Sequence, residues 1–189
     1  LSPYLAIEIG KNNFLMIKKI AIVGPESSGK TALAIQLSEH FKAPLVEEYA
    51  REYLLARKGI YLQKDLIEIA KGQLKLETEA LQKASNLIIC DTNLLVVKIW
   101  SLFKYKTCAE EIQTLWNKSN YDFQLLLRPD LVYQEDPLRE NPSIEDREML
   151  FQIYENELEN KNATYSIIEG KGKERINNAL KEISKNIFI

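Results

Sequence analysis

The stretch that most constrains this chain is Gly24-Pro25-Glu26-Ser27-Ser28-Gly29-Lys30-Thr31. It matches G-x-x-x-x-G-K-[ST] in full, after an apolar run at 20–24 that reads as a strand. Leu33, Leu37 and Phe41 then share one face of a helix that the loop opens. Glycines allow the tight turn, so consecutive backbone N–H groups face one point, and the helix N-terminus adds positive potential there. Such a loop suits the phosphates of ATP. Gly24, Glu26, Ser27, Ser28, Gly29, Lys30 and Thr31 are its expected binding residues. Lys30 can reach the β- and γ-phosphates, and the Thr31 hydroxyl can hold Mg²⁺. The alternative is a chance match in a Gly/Ser turn, but two of the chain's 7 glycines fall here.

The rest of the chain alternates in the same way. Strand patterns lie at 20–24, 44–48, 87–91, 124–128 and 165–169, rich in Ile, Val and Leu as expected of strands covered on both faces. Between them run apolar stripes of helical period. One is Ile67, Ala70, Leu74 and Leu81 within about 65–84; others are at 94–103 and 110–117. Leu150, Ile153, Tyr154 and Leu158 make another, and Ile176, Ala179, Leu180 and Ile183 the last. This alternation predicts an α/β fold of three layers, with a five-stranded parallel sheet between helices. One domain is expected over 16–189. Residues 1–15 precede Met16 as an appended segment, a start-site extension or an extra N-terminal arm, with a short added strand as the alternative.

Composition removes several classes of function. Lys plus Arg is 25 and Asp plus Glu is 27, a net charge of −2, so a strongly basic nucleic-acid binder is not expected. The single histidine, His40, and two cysteines, Cys90 and Cys108, cannot furnish a zinc cage or a disulfide framework. His40 reads as a surface or helix-end histidine. The longest apolar runs are about four residues, no membrane span, and no signal peptide is recognisable. These features suit a reduced, cytoplasmic setting.

Further candidates lie at the strand ends. Asp91 closes the third strand; such an acid either holds Mg²⁺ beside a phosphate loop or caps the next helix, and both roles can coexist. Glu47-Glu48-Tyr49-Ala50-Arg51-Glu52 follows the second strand. A hydroxyl acceptor needs a carboxylate to orient it and take its proton, and Glu48 is the expected base. Arg51 can hold phosphate or orient Glu48; the alternative is a charged helix start. Residues 128–144 carry three of the 6 prolines and no clear period. This segment, about 129–147, reads as a lid. Arg139 and Arg147 are expected to neutralise phosphate charge from it, with Arg128 a weaker candidate. The alternative is surface pairing with Glu135, Asp136, Glu140 and Glu145. Trp100 and Trp116 read as packing residues, with stacking of a nicotinamide-like ring on Tyr49, Tyr53 or Trp100 as the alternative. The turn 168–172 is either a plain turn or a contact for adenine.

The segments GPESSGKT, EEYARE, CDTN and EDPLR stand in this order, with the helix carrying Gln73 between the second and third. In this the chain resembles the ribosylnicotinamide kinase domain of NadR-type proteins, a group of small AAA-like P-loop ATPases, over about 17–183. The resemblance implies ATP- and Mg²⁺-dependent phosphorylation of the 5′-hydroxyl of nicotinamide riboside, giving nicotinamide mononucleotide. It implies Lys30 and Thr31 at ATP and metal, Glu48 and Asp91 near acceptor and metal, and Arg139 in the lid. Glu47 departs from it, since that family often has Trp there. No repressor role carries over. The sequence therefore predicts a kinase of a nucleoside-like small molecule. The rivals are a kinase of another nucleoside or nucleotide, and an ATP-binding regulatory module that hydrolyses slowly.

Overall fold

Strand β1, Lys18–Val23, has Ile20, Ala21, Ile22 and Val23 fully buried on alternating faces, and this is possible only in the middle of a covered sheet. A computed structural model describes residues 17–139 and 141–188. The expectations for residues 1–15, Met16 and Glu140 lie outside the described residues. After β1 come α1 (Lys30–Phe41), β2 (Leu45–Val46), α2 (Tyr49–Ala56), α3 (Asp65–Leu81) and β3 (Leu87–Asp91). Then follow α4 (Leu94–Tyr105), α5 (Glu110–Lys118), β4 (Phe123–Leu127), α6 (Ile144–Asn160), β5 (Tyr165–Ile168) and α7 (Lys173–Ile187).

The sheet order is β2-β3-β1-β4-β5, and every pairing is parallel. Side-chain alternation divides the core in two. Ala21, Val23, Ile88, Cys90 and Leu126 face α2 to α6. Ile20, Ile22, Ile89, Leu125 and Leu127 face α1 and α7. The three-layer α/β architecture read from the alternation is therefore the observed one. Both cysteines are free, and among the described residues no helix is long and apolar enough to cross a membrane.

Boundaries shift where tertiary context outweighs local pattern. The second strand pairs only through Leu45 and Val46, because the chain leaves this sheet edge at once to start α2. Helix α3 stops at Leu81 rather than Ala84. Gly72, inside α3, admits the ring of Tyr49 from α2: a Cβ there would lie 2.0 Å from that ring. Trp116 is 1% exposed in the core, as its stripe suggested. His40 is exposed in the last turn of α1.

The topology decides where chemistry can gather. Because β3 and β4 flank β1, the carboxyl ends of all three strands open on one edge of the sheet. There the loop after β1, Asp91 and the long β4–α6 connection come together.

Candidate active site

The loop 24–29 turns with backbone in the left-handed region at Ser27, φ 54°, and Gly29, φ 83°. Gly24 has φ 140°, and a Cβ there would meet the Leu127 carbonyl oxygen at 2.7 Å, so no larger residue fits. Helix α1 starts at Lys30 with no side-chain cap and no acid in its first turn. Its first N–H groups and the positive end of its dipole are left to an anion. Ser28 donates its hydroxyl to the Pro25 carbonyl at 2.8 Å, which braces the loop from inside. Lys30 lies folded over the loop, donating to the carbonyls of Gly24 at 3.0 Å and Pro25 at 2.8 Å.

Two acids face this lysine. Burial pushes the Glu48 carboxyl above the ordinary glutamate value, while the charge of Lys30 pulls it back. Burial likewise pushes Lys30 down, opposed by Glu48, Asp91 and Glu26. Asp91 is 3% exposed and is raised by burial, opposed by a hydrogen bond from Thr31. Its Oδ1 is buried without a hydrogen-bond partner among the described residues. The cap of α4 is Asn93, whose Oδ1 accepts from the Leu95 N–H at 3.0 Å. Asp91 is thus free of the capping duty that the sequence left open. A buried carboxylate oxygen with no donor, beside the Thr31 hydroxyl, is a donor set that fits Mg²⁺. Among the described residues no three His, Cys, Asp or Glu side chains cluster to hold a metal alone, so phosphate oxygens would complete its shell.

A cavity of about 560 Å³ opens over the loop. All seven loop residues from Gly24 to Thr31 named above line it, with Glu48, Arg51 and Arg139. Its apolar wall comes from α2 and α4, through Leu54, Val96, Ile99, Trp100 and Phe103. The Trp100 indole N–H donates to the Tyr61 hydroxyl at 2.9 Å, which fixes the ring on that wall. Tyr154, read from the sequence as one of a core stripe, also forms part of the wall. Glu48, Thr31 and Arg51 are shared with a second hollow behind them, which Asp91 also lines and where Glu47 and Glu52 lie at the surface.

The β4–α6 connection crosses the cavity and is tied to the phosphate loop. Arg139 donates to the Ser27 hydroxyl at 2.9 Å and to the Gln134 carbonyl at 2.6 Å. Glu26 accepts from the Asn141 N–H at 2.9 Å. Arg51 pairs with Asp136 at 2.9 Å, tying α2 to the same segment. Two other arginines lie elsewhere. Arg147 lines neither cavity; it is 4% exposed in α6 and donates to the Leu131 carbonyl at 3.1 Å, bracing the segment from below. Arg128 meets Glu169 at 3.5 Å and covers the Phe151 ring.

Two polar anchors had no motif to reveal them. Arg175 of α7 is 4% exposed beneath the phosphate loop. It donates to the Ser28 carbonyl, to the Asp130 carboxylate, and to the Gly170 carbonyl at 2.7 Å. The Gly170 turn is thereby a support for the loop, and it lines neither cavity. Gln73 of α3, 2% exposed, bonds on both sides of Glu48. In sequence Arg175 is one arginine among many polar helix positions, and Gln73 marks only the helix between two segments of the resemblance, with no role attached.

Comparison with known proteins places this geometry. The sequence profile of the AAA domain family matches residues 19–175. The trifunctional NAD biosynthesis/regulator protein NadR of Escherichia coli strain K12 is 28% identical over 158 residues, which is 81% of this chain and 38% of that protein. A crystal structure of a NadR protein with NR is similar at TM-score 0.77 and 21% identity, over 92% of this chain and 52% of that one. Thymidylate kinase from Ehrlichia chaffeensis is similar in fold at TM-score 0.62 and 15% identity, over 89% of this chain and 97% of that one. The chain spans less than half the length of the curated NadR it matches. The resemblance to NadR-type proteins read from four sequence segments is borne out by this independent similarity.

Proposed function

The chain belongs to the AAA domain family, and from that premise we propose that it is an ATP-dependent kinase of a nucleoside, with the 5′-hydroxyl of nicotinamide riboside as the leading acceptor. The observation that carries the reading is the meeting of Lys30 and Glu48 in one cavity whose other wall holds Trp100 and Phe103, with Asp91 acting on Lys30 from the hollow behind. The uncapped start of α1 receives phosphate, and Lys30 leaves the loop carbonyls to reach the β- and γ-oxygens. Thr31 and Asp91 would hold Mg²⁺, which when bound neutralises charge on the phosphates. Glu48 accepts the proton of the acceptor hydroxyl as that oxygen attacks the γ-phosphorus, and the bond to the ADP oxygen breaks in line. Arg139 neutralises charge as it develops. Trp100 and Phe103 offer flat apolar surface to a base, in a cavity of suitable size for a nucleoside. Similarity at 28% identity to a protein of NAD biosynthesis supports nicotinamide riboside over other nucleosides. The reaction belongs in the cytoplasm, where ATP and reduced thiols are found together.

A panel of nucleosides with Mg-ATP tests this, reading ADP release and acceptor mass together. Nicotinamide riboside is expected to yield its 5′-monophosphate with one ADP per product. Phosphorylation of a different nucleoside alone would move the assignment to that acceptor. ADP released with no phosphorylated product would instead identify a regulatory ATPase.

A further inference from the structure

Glu48 is the N-cap residue of α2, and an acid there commonly turns back to bond the helix's first N–H groups. It does not do so here. The Tyr49 N–H is instead taken by Gln73 of α3, whose Oε1 accepts from it at 3.0 Å. The Nε2 of the same amide donates to the Glu47 carbonyl at 3.4 Å. One buried side chain therefore holds the peptide groups on both sides of Glu48. The neighbouring residue on α3, Gly72, brings the Tyr49 ring against the helix backbone and so helps to fix the same turn. Gln73 lines neither cavity.

From this geometry we infer that Gln73 is the positioning residue of the reaction. It holds the first N–H of α2 and the carbonyl before Glu48, so the backbone at Glu48 is fixed with its carboxylate turned to Lys30 and the acceptor. The assignment rests on Glu48 acting as the base, as proposed above. A glutamine is suited to the task because it both accepts and donates, matching one N–H and one C=O two positions apart. A hydrophobic residue of like volume would leave both groups unpaired, and the Glu48 carboxylate would then compete to cap its own helix.

The test is a double-mutant cycle of Gln73→Leu with Glu48→Gln, using nicotinamide riboside and Mg-ATP. Gln73→Leu is expected to lower kcat by about 10²-fold with the KM for ATP nearly unchanged. It should also shift the acid arm of the kcat–pH profile. In the Glu48→Gln background it should cost little further. Gln73→Glu keeps the acceptor for the Tyr49 N–H but loses the donor, so its kcat should fall between the two; it serves the same cycle if the leucine variant does not fold. An equal loss in both backgrounds, with the pH profile unmoved, would overturn the positioning role and leave Glu48 as the base. Normal turnover in Glu48→Gln alone would overturn both.

Discussion

Glu48 stands where the protein itself raises its proton affinity, and this has a measurable sign. With Glu48 as the proposed base, transfer uses its carboxylate, so kcat should fall as pH drops through the raised value, at a higher pH than an exposed glutamate would give. A kcat–pH profile should show this arm in the parent chain and lose it in Glu48→Gln. The same substitution should lower kcat by about 10²–10⁴-fold with much less effect on ATP affinity. Lys30→Ala should abolish measurable transfer, as read by acceptor mass. Stability follows the opposite direction. A carboxyl whose folded value is raised contributes stability that is lost as pH rises through that value. Glu48→Gln should therefore raise the melting temperature more at neutral pH than in acid. At this scale the phosphate loop was legible because all its residues are consecutive and each glycine has a local reason. Gln73 and Arg175 were not, because their partners lie 24 and 147 positions away and helix periodicity records only that such residues are polar.

Among the elements, the segment joining β4 to α6 and the start of α7 carry the loop between them. Arg175 donates to three acceptors from a buried position. Asp130 keeps a side-chain exposure of 29%, which weakens its share. Arg175→Met should then cost about 2–3 kcal/mol in urea unfolding, as the three acceptors lose a buried donor. On the other side of the loop, Arg139→Ala should reduce kcat by about 10²–10³-fold while ATP still binds. Asn141→Ala removes the side-chain amide that donates to Glu26 at 3.2 Å, and so loosens the tie to the crossing segment while the backbone N–H bond stays. It should increase ADP released per acceptor phosphorylated, since water then enters more freely. The strands and long helices were readable from period alone. Helix α2 appeared only as one reading of a charged stretch, because eight residues with four of them polar or aromatic give no clean stripe. What fixes it is tertiary: the Gly72 slot and the Gln73 amide on α3.

For the molecule as a whole, the parallel sheet was implied by the alternation of strands and helices, whereas the strand order was not, because period does not say which strands are neighbours. That order matters to ligand linkage. A nucleotide held at the ends of β1, β3 and β4 secures the middle of the sheet. At a hundredfold excess over Kd, Mg-ATP should stabilise the fold by about 2.7 kcal/mol, or roughly 5–10 °C in melting temperature for a chain of this length. A chelator should remove most of that shift without lowering the melting temperature of the ligand-free protein. The order also has a consequence during synthesis. The first described strand is the central one: β1 pairs with Leu87–Asp91 on one side and Phe123–Leu127 on the other. At ribosomal speed, its second neighbour emerges roughly 5–20 s after it. For that interval Ile20–Val23 is an apolar segment without its sheet, and the nucleotide site cannot exist until most of the chain has been made.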